Sequence, residues 1–226
     1  MNDITIIIIT YKSEKIIYDF LKKIPPTLKI IIVENSDNHE LKKDIEKKYK
    51  NISFYIKKND GVSSALNFAV EKTKTKYFLQ ISPDIDFNFE DLKIFLDFAK
   101  KKNNNFAALG PRFLEVKEKS HKQIDKKLEF GEIESVHGSC MFINKQTFLD
   151  IGKFDENFFL YFEEIDLCKR VKKQNGKIYL DKLIKIDHQG SKSVNNFNKF
   201  ELEKNRNWHW MWSTFYFNKK YKGFFL

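Results

Sequence analysis

Ile4-Thr5-Ile6-Ile7-Ile8-Ile9-Thr10 is the stretch on which the fold turns, a run in which every residue is β-branched. A strand with one wet face alternates apolar and polar side chains. An unbroken apolar run needs cover on both faces, as in a parallel sheet flanked by helices. Ile6 to Ile9 is far too short to span a bilayer, which takes about 20 apolar residues, so it reads as a buried strand. The start, Met1-Asn2-Asp3-Ile4, carries no charged leader before a long apolar segment.

Working outward, a helix is expected from Glu14 to Lys23, stopped by Pro25 and Pro26. Leu28 to Val33 is a second buried strand, ending in the turn-rich Asn35-Ser36-Asp37-Asn38. A charged helix over Leu41 to Tyr49 and a strand over Ile52 to Ile56 follow. Gly61 breaks the chain ahead of a helical face made of Ala65, Leu66, Ala69 and Val70, and Tyr77 to Ile81 is a fourth strand. Alternating β and α predicts one Rossmann-like α/β domain with a mostly parallel central sheet flanked by helices. Its ligands belong at the carboxyl ends of the strands. The second half is less regular. It offers a helix near Phe89 to Lys102, a lysine-rich surface stretch from Val116 to Lys127, and strands at Cys140 to Ile143 and around Ile178-Tyr179-Leu180.

Of 226 residues, 42% are hydrophobic and 32% charged, which excludes an intrinsically disordered chain. Lysine and arginine number 41 against 31 acids, a net charge of +10, which favours anionic partners such as phosphates or acidic lipid headgroups. A bias in overall lysine usage explains the same charge. Cys140 and Cys168 are too few and too far apart for a disulfide framework or a paired-cysteine zinc site, so a cytoplasmic setting is expected.

Polar clusters follow three of the strands: Thr10-Tyr11, Glu34-Asn35-Ser36 and Ser82-Pro83-Asp84-Ile85-Asp86. Asp84 and Asp86 suit a hard cation bridging substrate phosphates, and an Asp-x-Asp after a strand also serves as an ordinary turn and helix cap. Glu163, Glu164 and Asp166 crowd a segment rich in aromatics. They read as the acidic first turn of an amphipathic helix, and equally as carboxylates tuned for base catalysis beside a cleft. His188, in Asp187-His188-Gln189-Gly190-Ser191, is the histidine with the most suggestive surroundings.

The ordered set Thr10-Tyr11, Val33-Glu34-Asn35-Ser36, Asn59-Asp60-Gly61 with Asn67, Ser82-Pro83-Asp84, Gly152 to Glu156, Glu163 to Arg170 and His188 to Ser191 resembles the family 2 glycosyltransferases of GT-A fold. The rhamnosyltransferase-like bacterial branch is nearest, and the resemblance covers roughly residues 4 to 193. It implies an inverting transferase that moves a sugar from a UDP- or dTDP-sugar, dTDP-rhamnose among them, to an acceptor hydroxyl in polysaccharide or glycolipid synthesis. Under that resemblance Thr10, Tyr11, Glu34 and Asn35 hold the nucleoside, and Asn59, Gly61, Asn67 and Ser82 line the donor pocket. Asp84 is the first choice as ligand to Mn²⁺ or Mg²⁺ and Asp86 the alternative, with His188 completing the shell. Glu164 is the general base and Glu163 its neighbour. The chain departs from the usual pattern at Glu34, Ser82 and Glu164.

Residues 1–205 are expected to form the transferase domain, and 206–226 a helical segment that is both aromatic and basic. The latter carries Trp208, Trp210, Trp212, Phe215, Lys219, Lys220 and Lys222. Such a segment suits an anionic membrane surface and a lipid-linked acceptor; it equally suits a helix packing its tryptophans on the domain. A nucleotidyltransferase would show a glycine-rich loop where Thr10-Tyr11-Lys12-Ser13-Glu14 stands. No nucleic-acid-binding motif is present. A sugar-nucleotide-binding protein without catalysis remains the alternative.

Overall fold

Strand β1 (Ile4–Thr10) lies at the centre of the sheet, and Ile6, Ile7 and Ile8 are all fully buried. Its side chains divide by the period of two that a strand imposes. Ile4, Ile6 and Ile8 enter one apolar layer together with residues of α1 (Glu14–Lys22), α2 (His39–Lys48) and α4 (Leu92–Lys101). Ile7 enters the other, with residues of α3 (Val62–Lys72), α5 (Lys145–Asp150) and α6 (Glu163–Lys173). The two-sided cover that the isoleucine run demands is therefore supplied by helices on each face. This computed structural model describes residues 2–114, 128–188 and 199–223. The lysine-rich stretch from Val116 to Lys127, the Gln189-Gly190-Ser191 motif and Phe224 to Leu226 lie outside the described residues.

Parallel pairing joins β1 to β2 (Lys29–Glu34) and to β4 (Tyr77–Ile81), and β2 to β3 (Ile52–Ile56). Among the described residues the full order is β3-β2-β1-β4-β8-β6-β9-β5, with β7 (Phe130–Glu132) on β9. Strand β8 (Cys140–Asn144) enters antiparallel between β4 and β6 (Ala108–Phe113), while β9 (Ile178–His188) runs parallel to β6. The α/β reading is borne out, with a mixed sheet whose parallel order holds in the first half. The short β5 (Ile85–Asp86) pairs with the end of β9 and sets Ile85 opposite His188.

The last helix, α7 (Lys199–Lys222), begins before the expected boundary at 205 and docks on the loop leading into α6. Ser213 is fully buried and donates to the Leu160 carbonyl at 2.8 Å, and His209 stacks on Phe159 with ring centroids 4.1 Å apart. Lys220 reaches Asp155 at 2.7 Å and the fully buried Asp166 at 2.6 Å. Asp166 also accepts from Tyr221 (2.7 Å) and Arg170 (2.8 Å), so α6 and α7 are tied through one carboxylate. Trp208, Trp210 and Trp212 remain 62%, 53% and 44% exposed. Of these, Trp212 donates its indole N–H to the Asn157 carbonyl at 3.3 Å, so one tryptophan helps to hold the helix on the domain. No helix among the described residues is long and apolar enough to cross a membrane.

Candidate functional site

The carboxyl ends of β1, β2 and β4 open into a cleft of about 540 Å³, a size typical of small-ligand sites. Its floor includes Thr10, Asn35 and Gln80, and its sides Tyr11, Asn59, Ser82, Asp84 and Ser139. Tyr161 and, from α7, Asn205, Arg206 and His209 close it. Thr10 Oγ1, Asn35 Oδ1 and Gln80 Oε1 are buried and have no hydrogen-bond partner within the protein. Each such group costs about 1–3 kcal/mol when left unmatched, so three on one floor mark a place shaped for a polar ligand.

The loop geometry beneath the cleft follows from short-range chemistry. Buried Glu34 accepts from the Ser36 N–H at 2.8 Å, the Ser36 hydroxyl, and the Asn38 N–H at 2.9 Å. Its carboxylate thereby shapes the turn that presents Asn35, whose own N–H donates to the Thr10 carbonyl at 2.9 Å. Gly61 has φ +97°, and a Cβ there would lie 2.6 Å from the Phe159 carbonyl oxygen. Only glycine fits both the backbone and the space. The close approach lets the Val62 N–H donate to that carbonyl at 2.7 Å, joining the start of α3 to the loop before α6.

Of the anticipated residues, Thr10, Tyr11, Asn35, Asn59, Ser82 and Asp84 come together around the cleft. Glu34 and Gly61 stand behind it as builders of its loops. Asn67 is elsewhere: its amide donates to Phe154 O at 3.0 Å and Glu156 Oε1 at 2.9 Å, and accepts from Phe154 N at 3.0 Å. With every amide function engaged by that loop, it braces α3 and does not line the cleft. Asp86 is exposed and pairs with Lys23 at 2.8 Å, away from the cleft. His188 is in register with Ile85, the residue after Asp84; its side chain lies outside the described atoms.

Among the described residues no three His, Cys, Asp or Glu side chains converge as a closed metal cage. A hard ion of the Mg²⁺ class needs no such cage, being commonly held by one or two carboxylates with substrate phosphates and water. Asp84 and Ser82 supply oxygen donors of that kind on the cleft wall.

Helix α6 starts from two consecutive left-handed residues, Tyr161 (φ 71°) and Phe162 (φ 70°). Non-glycine residues in this region cost on the order of 1–3 kcal/mol and persist where the surroundings impose them. Here Phe162 is gripped by Phe217 of α7, ring centroids 5.3 Å apart, while Tyr161 lines the cleft. The turn delivers Glu163 and Glu164 at the helix start. Glu163 is buried, and its Oε2 has no hydrogen-bond partner. Burial first, and then the neighbouring Glu164 charge, hold its proton affinity well above the ordinary carboxylate range. Burial also raises Glu164, against the pull of backbone N–H groups. Glu164 packs its carboxylate against Gly138, next to the cleft residue Ser139. Two coupled carboxyls of this sort titrate as a pair, with the more deeply buried Glu163 keeping the proton longer.

Gln80, Tyr161, Arg206 and His209 were not anticipated from the sequence. Gln80 had a readable signal, a lone amide at the end of the otherwise apolar Tyr77-Phe78-Leu79-Gln80-Ile81. The α7 residues had none, because only tertiary docking brings that helix to the cleft.

A family model described as Glycosyl transferase family 2 matches residues 5–166. The low-salt glycan biosynthesis hexosyltransferase Agl10 of Haloferax volcanii is 26% identical over 198 residues, covering 77% of this chain and 63% of that protein. The chain therefore spans less than two thirds of that relative's length. Rhamnosyltransferase WbbL of Escherichia coli is 26% identical over 204 residues, covering 74% of this chain and 75% of that protein. Among solved structures, GalNAc-T7 with UDP, GalNAc and Mn²⁺ superposes with a TM-score of 0.66 at 11% identity, covering 82% of this chain and 43% of that one. TarS 1-349 of S. aureus with UDP gives 0.57 at 17% identity, covering 78% and 57%. At these identities the structural likeness speaks for the GT-A-like fold alone.

Proposed function

The chain belongs to glycosyltransferase family 2, and from that premise we propose that it transfers a sugar from a UDP- or dTDP-sugar to an acceptor hydroxyl with inversion. The observation that carries this reading is the cleft floor, where Thr10, Asn35 and Gln80 direct unmatched polar atoms at the carboxyl ends of three parallel strands. The nucleoside sits toward Tyr11, Asn35 and Asn59, where Lys57 and Lys58 border an adjoining hollow. The diphosphate extends toward Asp84. Lys12 and Arg206 are the lysine and arginine side chains among the described lining residues, and they stand ready to offset its charge.

Mn²⁺ or Mg²⁺ held by Asp84 and donor phosphate oxygens would neutralise charge gathering on the leaving diphosphate. His188 is proposed as a further ligand. Glu164 takes the proton of the acceptor hydroxyl while that oxygen bonds to the anomeric carbon from the side opposite the diphosphate. The bond to the diphosphate breaks in the same step, its electron pair leaving with the phosphate oxygen, so configuration inverts. Glu163 holds its proton and leaves Glu164 as the working base. The acceptor is a saccharide, free or lipid-linked, in polysaccharide or glycolipid assembly. Two free, buried cysteines agree with a cytoplasmic setting.

The test is donor turnover. Incubation with UDP- and dTDP-sugars in Mn²⁺ should release the matching nucleoside diphosphate slowly to water and faster with an acceptor glycan extract. Tight binding of diphosphate with no release under any acceptor would replace this reading by the non-catalytic one.

A further inference from the structure

All of the chain's tryptophans, Trp208, Trp210 and Trp212, lie on α7. The inner face of this helix is occupied by the contacts of His209, Ser213 and Lys220 with the loop before α6 and with α6 itself. At about 100° per residue, Trp208, Met211, Trp212 and Phe215 fall on the side away from Ser213 and Lys220, with Trp212 at its flank, where the indole N–H donates to the Asn157 carbonyl at 3.3 Å. They are 62%, 55%, 44% and 53% exposed. Lys204 lies on this face one turn before the stripe, and Lys219 and Lys222 continue it beyond; all three are exposed. A contiguous apolar stripe of this kind on a folded surface marks an interaction site.

We propose that this outer face of α7 docks on an anionic lipid surface, with indole rings in the headgroup layer and lysines over lipid phosphates. The placement of charge selects the occupant. Were a second copy to pack antiparallel on the same stripe, Trp208 would oppose Phe215 and Lys204 would oppose Lys219. A parallel pairing would set each lysine beside its own copy. The antiparallel packing also sets Glu201 against Lys222, but three lysines against that one acid leave each face net positive, which counts against a helix pair, whereas an anionic bilayer is attracted to that charge. The expected membrane segment thereby narrows to one helix face. Lys220, included with it on composition, is committed to Asp155 and Asp166.

Docking has a geometric consequence. The inner face of the same helix carries Asn205, Arg206 and His209 into the cleft, so a bilayer on the outer face lies one helix diameter away, about 10 Å. An acceptor anchored in that bilayer would meet the cleft edge-on. This consequence rests on the transfer reading; the docking does not.

Because every tryptophan is on α7, intrinsic fluorescence reports this helix alone. Full-length protein should be mixed with vesicles of brominated phosphatidylglycerol in phosphatidylcholine, and with brominated phosphatidylcholine alone, at low and high salt. The expected result is a blue shift and quenching on the anionic vesicles, weakened by salt, with Trp210→Phe behaving like wild type. The triple change Lys204→Gln, Lys219→Gln, Lys222→Gln should cut partitioning on the order of a hundredfold, while UDP and dTDP binding in Mn²⁺ stays unchanged. Sedimentation with vesicles but no quenching would assign attachment to another surface and overturn the proposal. So would absence of binding, or lipid-free self-association that shifts the tryptophan emission. Nucleotide binding without vesicle binding would sink the docking and spare the transfer reading, and the reverse result would do the opposite.

Discussion

Asp84 and Asp86 stand two positions apart at the end of the same β-region, yet they face different tasks. Asp84 lines the cleft, whereas Asp86 spends its carboxylate on Lys23 in solvent. Asp84→Ala is expected to remove the Mn²⁺-dependent part of UDP and dTDP affinity in calorimetry, and Asp86→Ala to leave it within about twofold, as for an exposed ion pair. The acidic pair divides in the same way. Glu164→Gln should lower kcat by roughly a hundredfold or more with donor KM nearly unchanged, since a general base acts on the chemical step. Glu163→Gln should be milder for turnover and should stabilise the fold near neutral pH. The sign follows from the raised proton affinity of Glu163 in the folded chain. Its contribution is fully favourable below the unfolded carboxylate pKa and is lost as pH rises through the folded value. The glutamine variant should therefore gain melting temperature over wild type at pH 7 to 8, the gain vanishing near pH 4. A gain at acid pH instead would mean that Glu163 is ionised in the fold.

Strands and helices were legible where the pattern is local. Ile52–Ile56 and Tyr77–Ile81 begin and end where composition places them, and the run Ile4–Thr10 announced cover on both faces. β6, with Pro111 inside it, and the short β7 gave no periodic signal and form through pairing with β9. The cleft residues Thr10, Asn35, Ser82 and Asp84 were legible because they stand at or just after the ends of strands. Arg206 and His209 were not, since only the tertiary contact of α7 with the loop of Phe158 to Tyr161, distant along the chain, brings them to the cleft. That docking depends on a carboxylate cluster. Burial alone would raise Asp155, but hydrogen bonds from Lys220, Asn157 and Tyr216 prevail and hold it down to about 2. Its stabilising share is thus present above the ordinary carboxylate pKa and lost as pH falls toward 2. Lys220→Met should lower the melting temperature and raise the pH at which α7 detaches in acid, read from tryptophan emission. No change in either would show that Tyr216, Tyr221 and Ser213 hold the helix without the ion pair.

At the scale of the molecule, an apolar sheet covered on two sides carries a polar cleft at one edge, and a net charge of +10 surrounds it. The fold supplies rigidity and the loops supply chemistry, as in other α/β proteins whose sites lie at strand ends. Whether this cleft binds a nucleoside diphosphate through a divalent ion is decided by a thermal-shift comparison of UDP, dTDP and GDP in Mn²⁺ and in EDTA. Ligand at 100 times Kd stabilises a fold by about 2.7 kcal/mol, which for a domain of this size raises the melting temperature by roughly 5 to 11 °C. A shift of that order is expected with UDP or dTDP in Mn²⁺, absent in EDTA and absent in Asp84→Ala. Equal melting curves with and without every diphosphate in Mn²⁺ would contradict it.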